Sequence, residues 1–145
     1  MDTTKRNQGE IAKAREMLQA QQTKLRQVKA MLVEKKAEMR ELESRHHTLE
    51  VTGDINKMMA VKSRSIAIGK TIPTLEASEA ECLERVESVG RYLETLTRRL
   101  EGLQREREGL AEKLAVEDLE PDVRGKLQTL SSRIKMQIES LEGNS

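Results

Sequence analysis

His46-His47-Thr48-Leu49-Glu50-Val51-Thr52-Gly53-Asp54-Ile55-Asn56-Lys57-Met58-Met59-Ala60-Val61 is the stretch where two long apolar stripes meet. Upstream the stripe reads Ile11, Ala14, Leu18, Gln21, Leu25, Val28, Leu32, Lys35, Met39, Leu42, His46 and Leu49. Downstream it reads Met58, Val61, Ser65, Ile68, Ile72, Leu75, Glu79, Cys82, Val86, Val89, Leu93, Leu96, Leu100, Leu103, Arg107, Leu110 and Leu114. Steps alternating between three and four residues describe long helices packed through a narrow apolar seam. Between them Gly53 can take the left-handed conformation that closes a helix, and Asp54 can cap the next one. So short a link makes the two helices antiparallel neighbours.

Beyond the second stripe, Val116-Glu117-Asp118-Leu119-Glu120-Pro121 supplies capping acids and a proline suited to a first helical turn. A third helix follows, with Val123, Leu127, Leu130, Ile134, Ile138 and Leu141 as its apolar face and Gly143-Asn144-Ser145 as a loose terminator. The fold expected is all-α: an antiparallel three-helix bundle, or helical hairpin, of long coiled-coil helices. It forms a single helical domain over 1–145, with helix one at about 10–50, helix two at about 54–115 and helix three at about 121–142. Residues up to about Gly9 are expected to fray. Helix two, roughly 90 Å long at 1.5 Å per residue, would take helix one along its first part and helix three along its last, the two meeting near Tyr92.

Pro73 falls inside the second stripe. The heptad phase passes through it unbroken, and the residue four back is Gly69, so helix two is expected to be kinked at Pro73 rather than ended there.

Composition agrees with thin seams. The chain has 145 residues with 1% aromatic and 35% charged content, and its apolar residues are Leu, Ile, Val, Met and Ala rather than the bulky rings of a globular core. The lone Cys82 lies on the seam and reads as a small buried hydrophobe. His46 and His47, adjacent on a helix, point about 100° apart and cannot chelate one ion. Polar seam positions Gln21, Lys35, Ser65, Glu79 and Arg107 either specify register or mark exposed seam ends. No phosphate loop, nucleophile elbow or paired acid and base appears, which points away from an enzyme; no cofactor and no metal are expected. No stretch approaches the ~18 apolar residues of a membrane span, and no apolar leader opens the sequence, so a cytoplasmic protein is expected.

The net charge of +1 hides blocks of opposite sign. Folding about Thr52 sets residues opposite each other where their numbers sum to about 103. The acidic stretch Glu76 to Glu87 then faces Lys13, Arg15, Lys24, Arg26 and Lys29. The basic run Lys57, Lys62, Arg64 and Lys70 faces a mixed stretch whose charges cancel, and so stands uncompensated. These four residues are the candidate partner-binding site, for an acidic protein surface. Nucleic acid is disfavoured because no aromatic residue lies among them to stack on bases, and a membrane surface because Trp and Phe are missing.

Asp54-Ile55-Asn56-Lys57 at the start of helix two, Ile72-Pro73 about five turns on, the acid-rich amphipathic stretch that follows and the shorter third helix together resemble the tubulin-binding cofactor A family. These are small all-helical chaperones that hold β-tubulin during tubulin folding and dimer assembly. The chain departs from the pattern in lacking the tyrosine-containing Lys/Glu-rich segment of the family's first helix, and is longer between Asp54 and Pro73 and beyond Gly102. The resemblance implies a tubulin-folding chaperone, monomeric or homodimeric and cytoskeleton-associated, that binds β-tubulin through an extended helical face with no cofactor and no hydrolysis. The competing expectation is a coiled-coil structural subunit of a larger cytoskeletal or tethering complex.

Overall fold

The computed structural model describes residues 8–143. Three helices account for nearly all of them: α1 (Glu10–Thr52), α2 (Ile55–Leu114) and α3 (Pro121–Glu142). Their ends fall within about two residues of the bounds that the capping residues suggest, the usual uncertainty of a helix end. No strand forms among the described residues; Gln8 and Gly143 make one isolated antiparallel backbone pairing.

The α1–α2 turn is built as its residues require. Gly53 has φ +74°, open to glycine and costly for other residues, and its N–H closes α1 on the Leu49 carbonyl at 2.8 Å. Asp54 then caps α2, its Oδ1 accepting the Lys57 N–H at 3.2 Å. The α2–α3 turn is held differently. Glu120 occupies the cap position, but its side chain makes no capping hydrogen bond, so the acids expected to cap do not. Pro121 stands at the first turn as anticipated. The turn is instead tied by Arg124, whose guanidinium donates to the Leu114 carbonyl at 3.3 Å, an orphan acceptor at the end of α2, and to the Val116 carbonyl in the turn at 3.0 Å.

The chain divides into two compact units, Ala20–Val86 and Met1–Gln19 with Glu87–Ser145. Ala20–Val86 is a two-helix hairpin. Leu25, Val28, Leu32, Leu75 and Cys82 form its buried cluster, with Ile72 and Val86 packed against it. Leu42 and Ile68 are buried further toward the turn. Cys82 is a free thiol that fills space as a hydrophobe would. Gln21 is a half-buried seam residue whose Oε1 has no hydrogen-bond partner among the described residues.

The second unit packs three helical segments around Ile11, Ala14, Leu96, Leu103, Leu110, Ile134, Ile138 and Leu141. Here the first turn of α1 and the last turn of α3 meet end to end along α2. The junction lies beside Gln104, whose Nε2 donates to Glu142 at 3.0 Å, some three turns beyond Tyr92, which is half exposed. The meeting point thus lies beyond Tyr92, where the start of α1 and the end of α3 come close at Gly9 and Gly143. Gly9 is buried rather than frayed, and Gln8 beside it is paired. Residues 1–7, 144 and 145, which the expectations of a loose start and finish also covered, lie outside the described residues.

Seam positions of α1 and α2 are buried or half-buried throughout except Arg107, which is exposed between Leu103 and Leu110. On α3 the face is turned slightly from the one expected. Val123 and Leu130 are exposed, while Arg124, Leu127, Ser131, Ile134, Ile138 and Leu141 form the inward row. Burial of Ile134, Ile138 and Leu141 against α2 fixes this rotation, and Arg124, on the same row, bonds the end of α2 while Val123 and Leu130 lie outside. Pro73 lies within α2, which does not end there.

Candidate functional site

At 100° per residue, Lys57 and Arg64 nearly eclipse each other on α2, whereas Lys62 and Lys70 lie roughly 140° around the helix. The four candidate residues therefore do not form one face. They divide between two flanks of the hairpin unit.

On the first flank both cations have partners. Arg64 donates to Glu38 Oε1 through Nε at 2.9 Å and Nη2 at 2.8 Å, a two-pronged bond across the seam. Lys57 lies 3.8 Å from Asp54 one turn back. Lys57 also lines a shallow groove at the hairpin end together with Arg45, Leu49, Ala60 and Val61. The run expected to be uncompensated is, at Arg64, compensated. Among the described residues Arg64–Glu38 is moreover the ion pair that joins one helix to another. The acidic stretch Glu76 to Glu87 makes its ion pair within α2, between Glu81 and Arg85, and none with the α1 cations it was expected to meet. The acidic stretch does lie level with the basic part of α1, since Leu25 and Val28 pack with Cys82 and Val86, while at Arg64 the block sum concealed a partner. An ion pair needs two particular side chains at one level of the seam, and Glu38 with Arg64 meets that condition.

The Arg64 hydrogen bond holds the Glu38 carboxyl below its usual range; partial desolvation opposes this, and the charges of Arg64 and Lys35 add to it. A carboxylate with a lowered folded-state pKa adds stability above its unfolded value, and loses it as pH falls through the folded one. The Arg64→Gln variant should therefore melt below the parent at neutral pH, by the modest margin of a half-exposed pair. That margin should shrink as pH falls from the usual carboxylate range through the lowered folded value of Glu38. Melting curves at pH 7 and pH 3 check this, and an equal gap at both would contradict it.

On the second flank neither Lys62 nor Lys70 has an ion pair among the described residues, and both are exposed. Their neighbours there are apolar: Ile55, Met59 and Ile66, exposed to 69%, 64% and 53%. In the sequence Met59 reads as flanking the seam beside Met58, with an adaptable binding surface as the alternative, and the seam period gives no reason to join it to Ile55 and Ile66. Four- and seven-residue steps between them, in a segment without acids, were the available signal.

His46 Nδ1 sits 3.2 Å from Glu50, one turn on. Among the described residues no three His, Cys, Asp or Glu side chains gather where they could hold a metal ion, and no helix is long and apolar enough to cross a membrane. No protein-family model matches the sequence, and comparisons with curated proteins and with solved structures find no match.

Proposed function

We propose that the chain is a tubulin-folding chaperone, capturing and holding β-tubulin through an extended helical surface without cofactor or hydrolysis. The observation that carries this reading is the start of α2. Asp54-Ile55-Asn56-Lys57, the residues of the family resemblance, open a helix that Asp54 itself caps, and Ile72-Pro73 lie inside that same helix. A shorter third helix follows, as the resemblance requires. Further support comes from the exposed apolar and basic flank, a surface suited to an acidic protein. In this reading the seams are coiled-coil seams with interlocking side chains, α2 bends at Pro73, and the protein works in the cytoplasm as a monomer or homodimer.

The test is capture of β-tubulin from a eukaryotic lysate by the immobilised chain, detected with antibody to β-tubulin. Retention above that of an unrelated helical protein is expected; none would refute the reading.

A second reading, a coiled-coil structural subunit of a cytoskeletal or tethering complex, draws on the same exposed Ile55, Met59 and Ile66, which a subunit awaiting its partners would also show. Behaviour in isolation separates the two. A chaperone unfolds cooperatively as a monomer or small dimer, whereas a subunit of this kind is partly unfolded or associates open-endedly.

A further inference from the structure

We infer that the outer flank of α2 from Ile55 to Lys70 docks an acidic amphipathic helix of the captured protein. The inference rests on the chaperone reading and gives it a site and a partner chemistry.

Three observations converge on this strip. First, Ile55, Met59, Lys62, Ile66 and Lys70 all fall within about 80° of one another around α2, so they form a single line of side chains. Second, the strip is unoccupied by the protein's own chain: its apolar members are each more than half exposed. The hairpin's seam is fully served by other residues, among them Ile68, Ile72 and Leu75. Third, its charge has one sign. Lys62 and Lys70 are without ion pairs among the described residues, and no acid occurs between Ile55 and Leu75.

The geometry selects a helix as the occupant. Steps of four and seven residues between the apolar side chains repeat the spacing of a helical seam, into which an incoming helix can fit knobs at matching intervals. Fifteen residues of rise make a strip of roughly 22 Å, which about four turns of helix would cover. The charge selects its chemistry. Lysine stems can lie along an apolar ridge while their ammonium groups reach carboxylates at its edge. Acids two turns apart on the incoming helix, flanking Leu- or Met-like residues, would meet both lysines. Cation-rich or uniformly polar helices would be rejected.

The test uses two pairs of substitutions at exposed positions, Lys62→Glu with Lys70→Glu and Met59→Ser with Ile66→Ser. Circular dichroism establishes that each keeps its helical content. The first probe is a synthetic 16-residue amphipathic peptide with Leu at matching four- and seven-residue steps and Glu beside them, read by fluorescence anisotropy. The parent should bind it. The lysine reversal should weaken binding at least tenfold at low salt and less at high salt, because rim charges act in that way. The serine pair should weaken it at both. The second probe is β-tubulin, with a photo-crosslinking residue at position 66 or at position 57 on the opposite flank. Crosslinking from 66 is expected.

Outcomes separate the strip from the chaperone reading. Capture of β-tubulin with crosslinks from 57 alone would overturn the strip and leave the chaperone reading standing. Peptide binding that the variants disturb, without capture of β-tubulin, would overturn the chaperone reading and leave the strip. Peptide binding unchanged in both variants would overturn the strip. So would a parent that ignores the peptide but binds vesicles containing anionic lipid.

Discussion

Replacing Gly9 by alanine is expected to destabilise the three-helix unit by about 3 kcal/mol, the upper end of what overpacking a tight site costs. A β-carbon at Gly9 would run into the carbonyl oxygen of Leu141, the amide nitrogen of Gly143 and the carbonyl carbon of Glu142, well inside van der Waals contact. All three are backbone atoms, so no side chain can swing aside to make room. Relief requires the ends of α1 and α3 to part. That would break the Gln8–Gly143 pairing and loosen Ile11, Ala14 and Leu141 in the buried cluster. Thermal unfolding should shift down by several degrees. Gly90→Ala is the control, since a β-carbon there meets nothing within 4 Å, and alanine in a helix should hold or raise stability. Equal melting of parent and Gly9→Ala would show that the start of α1 and the end of α3 do not pack closely in solution.

Pro73→Ala should act in the opposite direction, raising stability by about 2 kcal/mol. Proline inside a helix removes the hydrogen bond to the residue four back and presses its ring on that carbonyl, at a cost of about 3 kcal/mol. Gly69 occupies that place and Pro73 is exposed, so alanine restores the bond and loses little buried area. Part of the benefit is offset because proline also restricts the unfolded chain, a term of about 0.4–1 kcal/mol. Chemical denaturation of the two proteins measures the difference. A marked loss of stability on Pro73→Ala would mean that the proline makes a turn the helix needs.

Much of this architecture is legible in the sequence because it depends on period and punctuation. The α1 and α2 stripes come out buried or half-buried at every position but Arg107, and Gly53 and Asp54 close and open helices as those residue types do. What escaped depends on contacts between residues far apart in the chain. Gly9 looked like part of a polar tail, and only the arrival of α3 explains why no side chain fits there. Nothing local in the sequence marks Arg124 as the residue that ties the turn after α2. Arg64 looked unmatched because the stretch opposite sums to no charge, though Glu38 stands at its level. For the candidate site, the lysines were legible as a basic run. Their division between two flanks, and the exposed Ile55, Met59 and Ile66 beside two of them, required the helix to be turned in space.

The central claim is that this chain holds β-tubulin. Sedimentation velocity of the purified chain with purified, fluorescently labelled β-tubulin tests it most directly. The account predicts a discrete complex at micromolar concentration, heavier than either protein and weakened by Lys62→Glu with Lys70→Glu at low salt. Labelled β-tubulin sedimenting unchanged in the presence of an excess of folded chain would contradict it.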